Sequence, residues 1–222
     1  MRRALRRTAR RVPVPVPVLR LVGHELRLMH SLLLWTARRR DGVGPGDRAF
    51  GHARDQAALM YGFAFVCAVE TVGMSYLLGA WPMVHAVVLF LDVYTVLFVV
   101  GLQAASVTRP HVLTSDTLRL RQAAHVDLRI PLERIAAVRH ELLFTHEKQE
   151  GVLDLKVAAQ TSLTLELSEP VTAVSMLGRR YEVRTVRCHA DDARALGAAV
   201  REAVAGAAGA ARCNVTREGT SS

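Results

Sequence analysis

The chain has 222 residues, half of them hydrophobic, with a formal net charge of +9 and a mean hydropathy of +0.18. So much apolar content excludes a disordered chain and is high for an ordinary soluble domain. Three cysteines, Cys67, Cys188 and Cys213, share no common element, which excludes a disulfide framework and fits free thiols in a reducing compartment.

Residues 1–55 read as a basic N-terminal region. VPVPVPV, residues 12–18, is expected to be an extended spacer, because alternating proline removes backbone donors and fixes φ. Beyond it, Leu19, Val22, Leu26, Met29 and Leu33 recur at helical spacing and Trp35 follows, the pattern of an amphipathic helix. Such a helix lies in a membrane interface, or packs its stripe on the C-terminal domain or a second subunit. The triplet Arg38, Arg39, Arg40 closes it, and DGVGPGD at 41–47 breaks the pattern.

Residues 56–106 read as a transmembrane helical hairpin. Between Ala57 and Ala80 the only formal charge is Glu70, and between Met83 and Ser106 it is Asp92. A helix over each run reaches ~36 Å, enough for a hydrocarbon core of about 30 Å. Thirteen arginines precede Asp55 and none occupies the turn at Ala80–Pro82, so both termini are expected on the cytoplasmic side of the inner membrane. Arg38, Arg39, Arg40 and Arg109 are the candidates to meet anionic lipid head groups. The basic N-terminus lacks interleaved aromatics and any binding module, so nucleic acid is not an expected partner.

Glu70 stands eleven residues before Trp81 and Asp92 eleven after it. Equal offset from the apex of an antiparallel pair means equal depth, ~16 Å from the turn. A charge there costs at least ~2.5 kcal/mol, so each acid should face protein or water. His85 shares the face of Asp92. Glu70, Asp92 and His85 are therefore expected to form an intramembrane polar set. They act as glue between helices or subunits, or line a cation or proton path.

Residues 107–205 change to period-two alternation, in HVLTSDTLRLR, VDLRIPLERIAAVRHE, VLDLKVA, SLTLELSEPVTAV and RYEVRTVRCHA. About seven strands of an antiparallel sheet are expected, closed by a helix over Asp191–Val204. Residues 206–222 read as a disordered tail. The arrangement is a membrane α+β fold.

A two-span hairpin followed by Leu113, Thr114, Leu118 and Arg121, and then by Ile130, Pro131, Leu132, Ile135 and Val138, resembles the bacterial pleckstrin-homology-like membrane proteins. The resemblance covers residues 57–204 and implies a cytoplasmic PH-like domain that binds a protein or lipid surface. The arginine-rich, lysine-poor composition resembles that of high-GC actinobacterial chains. No glycine-rich phosphate loop, nucleophile elbow or metal-ligand spacing occurs, so neither catalytic residue, metal nor cofactor is expected. The leading expectation is a membrane-anchored, non-enzymatic adaptor or scaffold, self-associating or bound to another protein. The alternative is a small cation- or proton-linked transport component using Glu70 and Asp92.

Overall fold

A computed structural model describes residues 16–147, 149–175 and 178–218. The chain runs through α1 (Val16–Thr36), β1 (Arg48–Phe50), α2 (Arg54–Leu77) and α3 (Pro82–Thr108) before entering its main β region. Pro82 opens α3 at its first turn, where a missing N–H costs nothing. α2 and α3 pack side by side as a hairpin. Both are long and apolar enough to cross a bilayer, with mean hydropathies of 1.6 and 2.3. Their outer surfaces are exposed: Ala64 is the one buried residue of α2.

The remaining strands are β2 (His111–Leu113), β3 (Thr117–Gln122), β4 (Val126–Pro131), β5 (Ile135–Leu143), β6 (Val152–Leu155), β7 (Thr161–Val174) and β8 (Arg180–Cys188), and α4 (Ala193–Glu218) follows. One sheet has the order β1-β2-β3-β4 and the other β5-β7-β8-β6. Leu118, Leu120, Leu128 and Ile130 from the first meet Leu163, Leu165, Val183 and Val186 from the second in one core, which Leu196, Ala199 and Val200 of α4 complete. Period-two alternation puts Leu118 and Leu120 on that inner face. The Asp192 carboxylate accepts from the Ala195 amide at 2.8 Å, capping α4 as an acidic N-terminus should.

Several expectations need correction. The helix α1 already includes Val16–Val18, so the proline repeat is not extended to its end; Pro17 in the first turn is compatible with helix. Residues 12–15 lie outside the described residues. Arg48–Phe50, assigned to the N-terminal region, is a strand of the first sheet, paired antiparallel with β2. The second sheet is mixed, because β6 runs parallel to β8. α4 continues to Glu218, through most of the segment expected to be disordered.

Of the placements expected for α1, packing of its apolar stripe on the C-terminal domain is not seen. Leu19, Val22, Leu26, Met29 and Leu33 are all exposed. The buried face carries His24, Leu28 and Ser31, and Leu28 closes a small cluster with Ala105, Ala124, Phe98 and Leu102. Gly101 of α3 passes close to Leu28 and Leu32. Small residues on α3 thus admit α1 closely, and the more hydrophobic stripe points away. Leu28→Ala should lower stability by about 2–5 kcal/mol through its cavity, whereas Leu26→Ala should change it by less than about 0.5 kcal/mol. Thermal unfolding of the two variants in detergent checks this.

Candidate functional site

Glu70, His85 and Asp92, the polar residues expected to form a set within the hairpin, differ in burial. Met60, Ala64, Cys67, Thr71, Met74 and Ser75 are among the less exposed positions of α2 and recur at helical spacing, so they mark the side turned to α3. Glu70 is exposed, roughly 100° around the helix from Thr71. Among the described residues it makes no hydrogen bond or ion pair. His85 and Asp92 are half-buried, and His85 Nε2 and Asp92 Oδ2 are enclosed without a hydrogen-bond partner. Among the described residues no hydrogen bond or ion pair joins Glu70 to Asp92 or His85; Glu70 stands at the edge of the side turned to α3, one turn from Cys67 and Met74. Glu70 offers its carboxyl to whatever covers the outside of α2.

A denser set of polar contacts lies where the hairpin enters the β region. The amide of Arg54, in the first turn of α2, donates to Asp191 Oδ1 at 2.9 Å, and Asp191 returns its own amide to the Gly51 carbonyl. A free helix N-terminus is thereby satisfied by a carboxylate from the far end of the chain. A Cβ at Gly51 would stand 2.5 Å from Asp191 Oδ2, so a larger residue here would displace the Asp191 carboxylate. Gln103 on α3 donates to the Ala53 carbonyl at 3.3 Å and accepts from Gln56 on α2 at 3.1 Å.

The C-terminal end of α3 is held by arginines. Arg109 is only 7% exposed; it donates to the Ala123 carbonyl at 3.1 Å and sits 3.5 Å from Asp41 and 3.6 Å from Asp127. It is therefore held against protein and is not a lipid-facing cation; Arg38, Arg39 and Arg40 are exposed. Arg119 pairs with Asp127 through two hydrogen bonds. Arg121, 1% exposed, donates to the Asp41 carbonyl at 2.7 Å. Asp41 also gives its amide to the Thr108 carbonyl at 2.8 Å. Two guanidiniums, Arg109 and Arg119, thus share the carboxylates of Asp41 and Asp127, and a third, Arg121, holds the Asp41 backbone, around the linker that precedes β1.

Burial alone would raise the Asp127 carboxyl, but the Arg119 hydrogen bonds and the charges of Arg119, Arg121 and Arg109 hold it below its usual range. Burial lowers Arg109, opposed by Asp127 and Asp41. Gly42 sits at φ +64, and a Cβ there would fall 2.3 Å from Arg121 Nη2. Gly42→Ala should therefore cost upwards of ~1 kcal/mol from the left-handed backbone alone and displace Arg121. Limited proteolysis should show faster cutting in the 41–47 linker.

Beside this network lie three buried histidines, His52, His111 and His189, separated by 59 and 78 positions. His52 stacks on His111 with centroids 4.5 Å apart and planes 17° from parallel. His111 Nδ1 accepts from the Arg121 amide at 3.1 Å. Its Nε2 must then carry the proton and donate to the His189 carbonyl at 2.9 Å. His189 Nε2 stands 3.3 Å from Asp55, which accepts from Gln160 at 2.6 Å. Neither ring nitrogen of His52 meets a hydrogen-bond partner among the described residues. No set of three His, Cys, Asp or Glu side chains among the described residues is arranged to hold a metal ion.

Burial first, then neighbouring cationic character, pushes His52 well below the usual imidazole range. Burial likewise lowers His111 to about 4, against the hydrogen bond to His189. A depressed imidazole means that the unfolded chain takes up protons first, so stability is intact above the ordinary value of 6.5 and falls as pH drops toward 4. For His111 the full window corresponds to roughly 3 kcal/mol. Thermal unfolding from pH 8 to pH 4 should show this loss. His52→Phe, which keeps the stack without a titratable group, should flatten part of it.

The signal for these residues is absent from local sequence. His52, Asp41, Asp127 and Asp191 belong to separate segments with no motif spacing, and only the fold collects them. Comparison with protein-family models, with curated proteins and with solved structures gave no match.

Proposed function

We propose that the chain is an integral membrane protein that holds a cytoplasmic β domain rigidly at the inner-membrane surface as a non-enzymatic adaptor. The observation that carries this reading is the junction: α2 starts on Asp191, α3 ends on Arg109, and β1 before the hairpin pairs with β2 after it. A domain attached by one flexible linker is free to swing. Here two helical ends and a strand hold the domain, an arrangement suited to presenting a binding surface at constant height and orientation. The exposed Arg38, Arg39 and Arg40 leave α1 beside the same linker, and cytoplasmic placement brings them to anionic head groups. The resemblance to pleckstrin-homology-like membrane proteins points the same way. A transport role draws less support, since among the described residues no hydrogen bond or ion pair links Glu70, Asp92 and His85.

Glu70, exposed on an otherwise apolar helix face, suits a helix–helix contact with a second copy or with the partner's own span. Cross-linking in native membranes tests both parts of the reading. The intact chain should capture a specific partner, and Glu70→Gln/Asp92→Asn should retain it because amides still hydrogen-bond. Absence of any specific partner would sink the adaptor reading. Loss of ion coupling with the partner retained would instead favour transport.

A further inference from the structure

The side of α2 that meets the β domain at its start meets no other described part of the chain further along. Asp55, in the first turn of α2, accepts from Gln160 Nε2 at 2.6 Å and stands 3.3 Å from His189 Nε2. Leu59, Gly62 and Val66 follow Asp55 at steps of four, three and four residues, which places them on the same side of the helix. Leu59 is 64% and Val66 58% exposed, and a Cβ at Gly62 would have no neighbour within 4 Å. The β domain therefore overhangs this side of α2. With α2 in a bilayer, the space beneath the overhang belongs to lipid.

The same contact brings the end of β5 to that rim. Gln160 directly precedes Thr161, which opens β7 and pairs with Leu143 of β5, and His146 Nε2 lies 3.0 Å from the Thr161 hydroxyl. On either side of Leu143, Leu142 and Phe144 are 54% and 65% exposed. Residues 140–147 read HELLFTHE and offer no permanent cation to an anionic head group. Glu141 and Glu147 border the two apolar side chains instead. Large exposed apolar side chains at the level where a span begins suit the boundary between head groups and acyl chains.

We propose that Leu142 and Phe144 dip into the cytoplasmic leaflet beside α2, so that the β domain rests on the acyl boundary through an apolar contact independent of head-group charge. Burial of apolar area drives such a contact. α1 packs on α3, the other helix of the hairpin, so the tip adds a support on the α2 side. Attachment at the hairpin alone leaves the domain free to tilt about that axis, and a contact off the axis resists the tilt. The proposal rests on the membrane reading and names the surface that the domain meets there.

The test uses spin labels on the full chain in lipid nanodiscs. Cys67→Ala and Cys213→Ala remove two thiols, and Cys188 stays, since it is buried and burial pushes its thiol up to about 12, out of reach of the label. Labels at Phe144→Cys, at Phe65→Cys on the exposed surface of α2 and at Glu182→Cys on β8, ~20 Å along the strand from Cys188, are compared. The readout is collision with oxygen, which concentrates in lipid, against collision with a nickel chelate, which stays in water. The label at 144 should favour oxygen as the one at 65 does, whereas the one at 182 should favour the chelate. Adding Leu142→Asp should abolish the preference at 144, and exchanging zwitterionic for anionic lipid should leave it unchanged. A label at 144 that favours the chelate while the one at 65 favours oxygen overturns the proposal and leaves the membrane reading in place; chelate access at both sites overturns both. Protection from both reagents at 144 assigns the tip to a protein contact, and protection only with anionic lipid assigns it to head-group charge; either result overturns the proposal.

Discussion

The attachment of hairpin to β domain depends on satisfying the helix ends that meet there. The C-terminus of α3 is buried, where an unmet carbonyl would cost about 1–3 kcal/mol, and the more exposed N-terminus of α2 is tied down beside the β region. Asp191 answers the α2 end, and the amide of Asp41 answers the Thr108 carbonyl. Arg109, buried at the same place, needs Asp41 and Asp127. Buried ion pairs add little net stability against apolar replacements, but losing one partner is expensive. Such a network fixes geometry more than it adds stability, and fixed geometry is what an anchored binding surface requires.

This constraint also explains why β3 is buried on both faces. Its leucines meet the core, while Arg121 on the opposite side lies under the linker at Asp41 and Gly42. His111 then accepts the Arg121 amide and stacks beneath His52. The junction is one connected polar assembly, and acid acts on it through imidazoles that are stable only when neutral.

The hairpin and the domain differ in what they leave open. The β core is closed by α4, whereas the outer faces of α2 and α3 and the apolar stripe of α1 are exposed. Leu19, Val22 and Leu26 on α1 join the exposed apolar surface of the two candidate spans. Under the membrane placement proposed above, lipid would cover all three surfaces.

The two long helices, the strand-rich region and the closing helix were legible in the sequence, since apolar run length and two- or 3.6-residue periodicity are local properties. The acidic cap of α4 was legible for the same reason. What stayed hidden was pairing across distance. Arg48–Phe50 is too short to announce a strand, and it forms one only because β2 lies beside it. The parallel β6/β8 pair follows from the path of the chain, which alternation does not encode. Glu70 and Asp92 were placed at one depth by counting, yet their directions depend on how the helices are rotated against each other. Likewise, Arg109 reads as a lipid-facing cation beside a span until the fold delivers Asp41 and Asp127 to it. The sequence by itself determined where the long helices and most strands lie; the tertiary structure decided where several of them begin and end and which charges meet, because strand pairing, Coulomb and hydrogen-bond energies depend on spatial distance.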